Sequence, residues 1–574
     1  MSNASKKRGF NEGNRHFKKN KKQKLDGQVK EGSNEEVLLA DVTGLLQSFR
    51  LVDTPKSATD VNKTSQPELP EPYTEVNVTI TELSSTGDGL GIHEPSKQVL
   101  VVPFTTPGDT VTAKVIKHFP EFSYSLTDFV KVVTPSAVRD DELVQCPYFT
   151  ACSGCQFQML PYAFQLAHKK TIVEKAYRNF SDLPPSAVPA VGDTIGSPLQ
   201  YGYRTKLTPH FDGPPGGRRD RRNGMKSVWD HVPPIGFMKK GTRKTMDIED
   251  CPIGTQAVRM GMKRERKRVE RELDKYQRGA TLLLRESTER IEKSAANGVE
   301  ATEATEKKSV DEQAAAPVVA SVPVEEDTII EDRGTHLHRK TCITNQNATS
   351  TEYIDGFVFQ NPAGSFFQNN NSILPLFTQY IRQHVLPPDS SPSQATITNL
   401  IDAYSGSGLF TITLSSLFID SVGIDISPSS IKSATLNAKL NKLPPDRTRF
   451  IAADANALFA EIRFPAERTA VILDPPRKGC DEDFLKQLVG FGPVRVVYVS
   501  CNVHTQARDV GFLVREGGYE IESLRGFDFF PQTGHVEGVC VLNRRKNGIR
   551  AEDGADGAGA GAGASAEETV EIGV

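Results

Sequence analysis

The stretch NLIDAYSGSG at residues 399–408 decides the fold. An apolar run leads to Asp402, a loop containing Gly406 and Gly408 follows, and a helical pattern comes next. Glycines in such a loop allow a tight turn and a close approach between the backbone and a ligand. The sequence therefore predicts a strand, a glycine loop and a helix at the ligand-binding edge of an α/β sheet.

The alternation of apolar, strand-like runs with helical patterns continues from Asn399 to Leu542. The runs predicted as strands are 398–403, 421–426, 448–452, 469–473, 494–499 and 539–542. Continuous apolar runs separated by helices are typical of buried parallel strands. We therefore expect an α/β, doubly wound, Rossmann-like domain over residues 366–545.

The second predicted strand ends near Asp425, whose carboxylate could accept hydrogen bonds from the hydroxyl groups of a ribose. The glycine loop lacks the Lys and Ser/Thr that follow the glycines of a phosphate-binding P-loop. The two features together favour S-adenosylmethionine or a dinucleotide as the cofactor.

Reactive side chains follow or precede three further predicted strands. Asp474 follows one strand and precedes two prolines, which stiffen the turn. Cys501 follows the next strand and precedes a helical pattern, so we expect a lowered pKa and a nucleophilic thiolate. His535 and Glu537 precede the last strand and are candidate proton acceptors. We expect a catalytic site here, because α/β proteins bind ligands at strand ends.

The N-terminal half of the chain predicts two smaller units. Short alternating apolar runs, with turn signals at 87–89 and 107–109, predict a small OB-like antiparallel β-barrel over residues 71–135. A central α+β subdomain is expected over residues 140–365, with a charged helix at Met260–Tyr276. Small barrels of this kind often bind oligonucleotides.

Three segments are predicted to be disordered from their composition: the arm 1–70, an insertion at about 290–333 and the tail 551–574. The run 6–24 is strongly basic in a chain whose net charge is only −3. It is interpreted as an RNA-binding arm or a nuclear address, and alternatively as a solubilising tail.

Location and partners follow from the absence of certain signals. No run of about 18 apolar residues occurs, and the N-terminus lacks the apolar core of a secretion signal. We therefore expect an intracellular protein, in the nucleus, the cytoplasm or both. No membrane association and no obligate protein partner are expected.

Four cysteines suggest a metal site. Cys146, Cys152 and Cys155 lie close together in the sequence, and Cys251 could supply a fourth thiolate. In an intracellular protein such a group suggests metal binding before disulfides. Four thiolates suit a structural zinc ion or an iron–sulfur cluster, and the spacing does not separate the two. The alternative is a group of cysteines that holds no metal.

Five stretches in order resemble the RNA (uracil-5-)-methyltransferase family, and within it the eukaryotic tRNA uridine-54 methyltransferases. They are FFQNN at 366–370, DAYSGSG at 402–408, ILDPPRKG at 472–479, VVYVSCN at 496–502 and FPQTGHVEGV at 530–539. The resemblance runs from about Tyr73 to Arg544. The N-terminal barrel is similar to a TRAM domain, an RNA-binding module.

The resemblance implies roles for the matched residues. Cys501 falls on the nucleophile of the family and Glu537 on its general base. The residues expected to contact S-adenosylmethionine are Gln368, Tyr404, Gly406, Gly408, Asp425 and Asp474. Related bacterial enzymes hold a four-iron four-sulfur cluster with similar cysteines, so the resemblance favours that cluster over zinc at Cys146, Cys152, Cys155 and Cys251.

The implied reaction methylates carbon 5 of a uridine in RNA. Cys501 adds to carbon 6 of the uracil, carbon 5 takes the methyl group, Glu537 removes the carbon-5 proton, and the cysteine is eliminated. The resemblance implies uridine 54 in the T-loop of tRNA as the substrate.

Other functions are compatible with parts of the sequence. The substrate could be rRNA, or the chain could be a non-catalytic protein that binds or folds RNA. Cytosine-5 methyltransferases commonly place Pro before the cysteine, whereas Ser500 stands here. A nicotinamide dehydrogenase would leave Asp474 and Cys501 without a role.

Overall fold

A computed structural model describes residues 29–52, 68–214, 228–293, 327–388, 396–453, 459 and 462–545. The predicted tail 551–574 and the basic run 6–24 lie outside these residues. Three larger sheets, of six, four and eight strands, dominate the described part. Among these residues, no helix has both the length and the apolar character needed to cross a membrane.

The six-stranded sheet forms the N-terminal unit. Its strands are β1 (Glu75–Thr79), β2 (Glu82–Leu83), β3 (Gly89–His93), β4 (Gln98–Val102), β5 (Thr110–Phe119) and β6 (Tyr124–Thr134). They lie in the order β1-β5-β6-β4-β3-β2. Neighbours are antiparallel except for β4 and β6, which run parallel. This pair departs from the predicted antiparallel pattern, because β6 returns between β5 and β4.

A helix, α1 (Asn34–Val52), packs on this sheet. It buries Leu38, Val42 and Leu45 in the same apolar cluster as Tyr124. The prediction of disorder over 1–70 is therefore wrong for this segment. Leu38, Val42 and Leu45 recur at helical spacing, whereas the prediction of disorder was based on the composition of the whole arm.

The described residues of the central unit form two helices and several short sheets. Its elements are α2 (Tyr162–Phe180), β7 (Val191–Ile195), β8 (Lys206–Leu207), β9 (His210–Phe211), α3 (Gln256–Arg271), β10 (Ala280–Thr281), β11 (Leu284–Glu292), β12 (Ile329–Asp332), β13 (His336–Ile343), β14 (Thr349–Ile354) and β15 (Phe357–Pro362). Strands β12-β13-β11-β8 form one sheet, while β9 pairs with β10 and β14 with β15. The predicted insertion at 290–333 is wrong at both ends, where β11 and β12 pair with β13. Residues 294–326 lie outside the described part.

The C-terminal unit is built on the eight-stranded sheet. Its elements are α4 (Leu374–His384), β16 (Asn399–Ala403), α5 (Leu409–Leu414), β17 (Asp420–Asp425), α6 (Pro428–Leu440), β18 (Thr448–Ala452), β19 (Thr469–Leu473), α7 (Glu482–Phe491), β20 (Arg495–Ser500), α8 (Val503–Gly517), β21 (Tyr519–Phe527) and β22 (Glu537–Arg544). The strand order is β18-β17-β16-β19-β20-β22-β21-β7. The five strands from β18 to β20 are parallel, and β22 is antiparallel to both of its neighbours.

The edge of this sheet is completed by the central unit. Strand β7 pairs in parallel with β21, and α2 packs beside it against α8. A division of the chain at residue 365 therefore separates segments that share one sheet. The additional strand covers the backbone groups that β21 would otherwise leave unpaired at the edge.

The packing of α2 against α8 depends on one glycine. A Cβ atom at Gly511 in α8 would collide with the backbone carbonyl oxygen of Ser181, the residue after α2. A helical glycine costs stability relative to alanine, so close approach of the two backbones explains this one. The contact matters for function because α8 follows directly after Cys501.

We expect Gly511→Ala to lower the free energy of unfolding by about 2 kcal/mol, because the added methyl group overpacks this contact. The matched control is Gly490→Ala in α7, where a Cβ atom meets no other group. This control should gain roughly 0.5–1 kcal/mol from helix propensity. Chemical denaturation measures both, and equal effects of the two substitutions would contradict the close packing.

Candidate active site

A cavity of about 830 Å³ opens at the carboxyl ends of the parallel strands. Four segments line it, 365–369, 404–407, 424–426 and 474–478, together with the single residues Leu409, Cys501 and Glu537. This volume falls within the range of small-molecule sites. The structure thus brings the predicted site residues Gln368, Tyr404, Gly406, Asp425, Asp474, Cys501 and Glu537 to one cavity.

The glycine loop between β16 and α5 is held by Asp425. The backbone N–H of Gly406 donates to one carboxylate oxygen of Asp425 at 3.0 Å, and the N–H of Ser427 donates to the other at 2.7 Å. Tyr404, Gly406 and Gly408 all have positive φ angles, so the loop needs its glycines. Gly408 begins α5 and is the one predicted cofactor residue that does not line the cavity.

Polar groups at this end of the cavity fit a nucleoside cofactor. The hydroxyl of Ser405 lines the cavity and has no hydrogen-bond partner among the described residues. Asp425 also faces the cavity. Behind the loop, buried Asp402 accepts hydrogen bonds from the N–H and hydroxyl of Thr411, at 2.9 and 2.6 Å. Burial, more than the nearby carboxylate of Asp425, raises the pKa of Asp402 to about 7.

Gln368 reaches the cavity on a loop that the central unit holds. The ammonium group of Lys206 donates to the carbonyls of Gly364 and Ser365, both at 3.1 Å. Arg285 donates to the side chain of Asn369 at 3.1 Å. Strands β8 and β11 therefore fix both ends of this loop.

Cys501 lies at the other end of the cavity, between two acids and a cation. Burial, followed by the carboxylates of Glu537 and Asp474, raises the pKa of its thiol to about 12. Arg477 acts in the opposite direction, by its charge and by a hydrogen bond to the thiol. The prediction of a lowered pKa is therefore wrong, because burial and two carboxylates outweigh the helix N-terminus.

Glu537 is the better placed of the two candidate proton acceptors. It begins β22, is 2 % exposed and lines the cavity with Cys501. Burial and the carboxylate of Asp474 raise the pKa of Glu537, which Arg477 lowers in part. His535 instead lines a separate groove between α1, the N-terminal sheet and the central unit.

Asn502 joins two of the predicted motifs. Its side-chain oxygen caps α8 by accepting from the N–H of His504 at 3.2 Å, and its side-chain nitrogen donates to the carbonyl of Arg477 at 3.0 Å. The loop after β19, which contains Asp474, and the loop after β20, which contains Cys501, are thereby connected. No role was predicted for Asn502 or Arg477, although both lie in the quoted motifs. Their hydrogen bond forms only in the folded chain, where the loops after β19 and β20 are neighbours.

The four grouped cysteines are neighbours, but they do not form a ligand set. Cys146, Cys152, Cys155 and Cys251 are all free, and burial is the main cause that raises the pKa of each thiol. Within the described ranges, no group of three or more His, Cys, Asp or Glu side chains is arranged to hold a metal ion. The described residues thus do not show the predicted iron–sulfur or zinc site.

Comparison with known proteins adds family information to this geometry. A family model described as tRNA (Uracil-5-)-methyltransferase matches residues 338–545, and one described as TRAM domain matches residues 71–124. A solved structure of the tRNA (uracil-54, C5)-methyltransferase of Pyrococcus abyssi, in complex with S-adenosyl-L-homocysteine, is 22 % identical. It covers 81 % of this chain and 100 % of its own, with a TM-score of 0.53. The predicted fold, a Rossmann-like domain after a TRAM-like unit, is confirmed.

Curated relatives cover nearly the whole chain. The tRNA (uracil(54)-C(5))-methyltransferase of Schizosaccharomyces pombe is 40 % identical over 92 % of this chain and 87 % of its own length. The Saccharomyces cerevisiae protein of the same name is 39 % identical over 93 % and 84 %. An uncharacterized RNA methyltransferase of Gloeobacter violaceus is 30 % identical over 82 % and 96 %.

We expect alkylation of Cys501 by iodoacetamide to accelerate about tenfold per pH unit between about pH 7 and 9, because only the thiolate reacts and its pKa is raised. Arg477→Gln should slow labelling at every pH, since it removes the cation that stabilises the thiolate. Lys478→Gln, one residue further along the same loop, is the matched control. Peptide mass spectrometry follows the reaction, and a rate that levels off below about pH 8 would contradict the raised pKa.

Proposed function

Because the chain belongs to the tRNA (uracil-5-)-methyltransferase family, we propose that it transfers a methyl group from S-adenosylmethionine to carbon 5 of a uridine in RNA. One observation carries the proposal. A candidate nucleophile, Cys501, and a candidate base, Glu537, share one cavity with the glycine loop of a nucleoside-cofactor fold. A non-catalytic RNA-binding protein would need none of the three, and a nicotinamide dehydrogenase would leave Cys501 without a role.

The residues that would hold the cofactor are Gln368, Tyr404, Gly406, Gly408, Asp425 and Asp474. Asp425 has its oxygens beside the glycine loop, where ribose hydroxyls are held in related α/β folds. The carboxylate of Asp474, the residue after β19, would offset the positive charge of the methyl donor. When bound, S-adenosylmethionine supplies an activated methyl group on a sulfonium.

Cys501 and Glu537 divide the covalent chemistry. The thiol of Cys501 gives its proton to solvent water, and its sulfur forms a bond to carbon 6 of the uracil, which makes carbon 5 nucleophilic. After carbon 5 has been methylated, the carboxylate of Glu537 takes the carbon-5 proton. The electrons of that C–H bond re-form the double bond, and the carbon–sulfur bond breaks to release the thiolate. The target base must leave its stack to reach this cavity.

The substrate proposed is uridine 54 in the T-loop of tRNA. Both fungal relatives carry uracil 54 in their names and align over most of the chain. The N-terminal sheet, which matches the TRAM model, would bind the RNA outside the cavity. This activity would place the enzyme inside the cell, and the basic run 6–24 would be its nuclear address or RNA-binding arm. The second candidate substrate is rRNA.

We expect a stable covalent complex with RNA that carries 5-fluorouridine at the target position. Fluorine at carbon 5 prevents the final proton removal, so the bond to Cys501 persists. Denaturing electrophoresis detects the complex, and Cys501→Ala should abolish it. Cys480→Ala is the matched control, because that buried thiol lies outside the cavity lining. Methylation by wild-type protein without any complex would overturn the covalent mechanism.

With ordinary RNA, Glu537→Gln should lower the rate of methylation by a factor of about 10²–10⁴, the range for loss of a general base. The covalent complex should then accumulate, since its formation does not need this carboxylate. Gel analysis during turnover measures both effects. A slow variant that accumulates no complex would contradict the role of Glu537.

We expect deletion of the gene to remove 5-methyluridine from position 54 of tRNA and to leave rRNA unchanged. Mass-spectrometric mapping of both RNA fractions measures this, and re-expression of the wild-type chain, compared with Cys501→Ala, is the control. Loss from rRNA with tRNA unchanged would replace the proposed substrate with the second candidate.

A further inference from the structure

A buried ion pair joins α2 to the segment that leads to Glu537. Lys169 on α2 and Asp528 directly after β21 are in contact, and neither side chain is exposed. Lys169 also donates to the backbone carbonyl of Phe530 at 3.0 Å, and the hydroxyl of Tyr162 donates to Asp528 at 2.9 Å. Lys169 and Tyr162 therefore bind α2 to the segment that connects β21 with β22, which begins at Asp528.

The same segment, residues 528–536, is held further along by glutamines of the central unit. The side chain of Gln165 donates to the side chain of Gln532 at 3.0 Å and accepts from its N–H at 3.1 Å. The N–H of Gln156 donates to the carbonyl of Gln532 at 2.7 Å, and its side chain accepts from Gly534 at 3.0 Å. Gln532 itself has a positive φ of 69°, so the bend is imposed by these contacts.

The position of the segment matters because Phe530, within it, and Glu537, directly after it, both reach the cavity. The two residues lie on either side of the bend at Gln532. A general base must stand within hydrogen-bond reach of the proton that it removes, and misplacement by about 1 Å can cost about 100-fold in rate. The central unit thus determines where the base stands, although it contributes no base itself.

Stability alone does not explain the charges. Replacing a buried ion pair by uncharged groups of similar volume is often neutral or stabilising, because desolvation offsets the attraction. The two charged groups also fix the backbone of the segment. Lys169 donates to the carbonyl of Phe530, and Asp528 accepts from the N–H of Phe530 at 3.1 Å.

We propose that Lys169 and Asp528 are positioning residues that hold segment 528–536 so that Glu537 can remove the carbon-5 proton. The proposal rests on the proposed methyltransferase function. It predicts a specific defect: formation of the bond to Cys501 continues, while release of the methylated product slows.

The test compares single and double variants. Lys169→Met leaves Asp528 unpaired and should lower the melting temperature strongly. Lys169→Met combined with Asp528→Asn leaves no unpaired charge and should melt close to wild type. The double variant should nevertheless lose about 100-fold in kcat with little change in KM for RNA. It should form the fluorouridine complex at nearly the wild-type rate and accumulate the covalent complex with ordinary RNA.

The matched control is a second ion pair on the same sheet. Arg495 begins β20, at the end of the strand opposite to Cys501, and binds Glu522 at 2.7 Å. The double variant Arg495→Met with Glu522→Gln should keep kcat. A milder variant, Tyr162→Phe, removes only the hydroxyl that binds Asp528 and Ser197, and should reduce kcat in the same direction with the fold intact.

Two outcomes would overturn the proposal. In the first, the Lys169/Asp528 double variant recovers both the melting temperature and kcat, so the pair is only structural. In the second, the double variant is unstable and Tyr162→Phe retains full kcat.

Amide hydrogen exchange separates this proposal from the proposed function. If the wild-type chain neither methylates RNA nor forms the complex, the function fails, while faster exchange confined to residues 528–536 in the double variant would still support positioning.

Discussion

Parallel pairing of β16, β17, β19 and β20 is the constraint on which the site depends. Parallel neighbours end at the same edge of a sheet, so the loops after these strands meet there although they are far apart in sequence. Strand β22 runs in the opposite direction and therefore begins at that edge. Glu537 is its first residue, and for this reason a base and a nucleophile from strands of opposite direction face one cavity.

Prediction from sequence succeeded where the signal is local. Five of the parallel strands were found from their continuous apolar runs, and the side chains at their ends proved to share a cavity. Strand β21 was missed because its buried and exposed residues do not alternate regularly. Strand β7 was missed because its five residues are of mixed character and its partner strand lies far along the chain. The ionisation of Cys501 was predicted in the wrong direction, because Glu537 and Asp474 become its neighbours only in the folded chain.

Burial raises the pKa of all three acidic groups at one end of the cavity, Asp474, Cys501 and Glu537. The carboxylate of Asp474 raises the pKa of Glu537, and both carboxylates oppose ionisation of the Cys501 thiol. A protonated thiol is a poor nucleophile and a poor target for oxidants. The exposed guanidinium of Arg477 is the cation that opposes this effect at the thiol.

The pairing of β7 with β21 also has a consequence for biosynthesis. Residues 191–195 hydrogen-bond to a strand at residues 519–527, so several hundred residues of chain intervene between the two partners. Loop closure over such a distance is slow, and domains otherwise tend to fold in the order in which they leave the ribosome. Strand β7 must therefore wait for almost the whole polypeptide, and its backbone groups are open to association with other chains until β21 has formed.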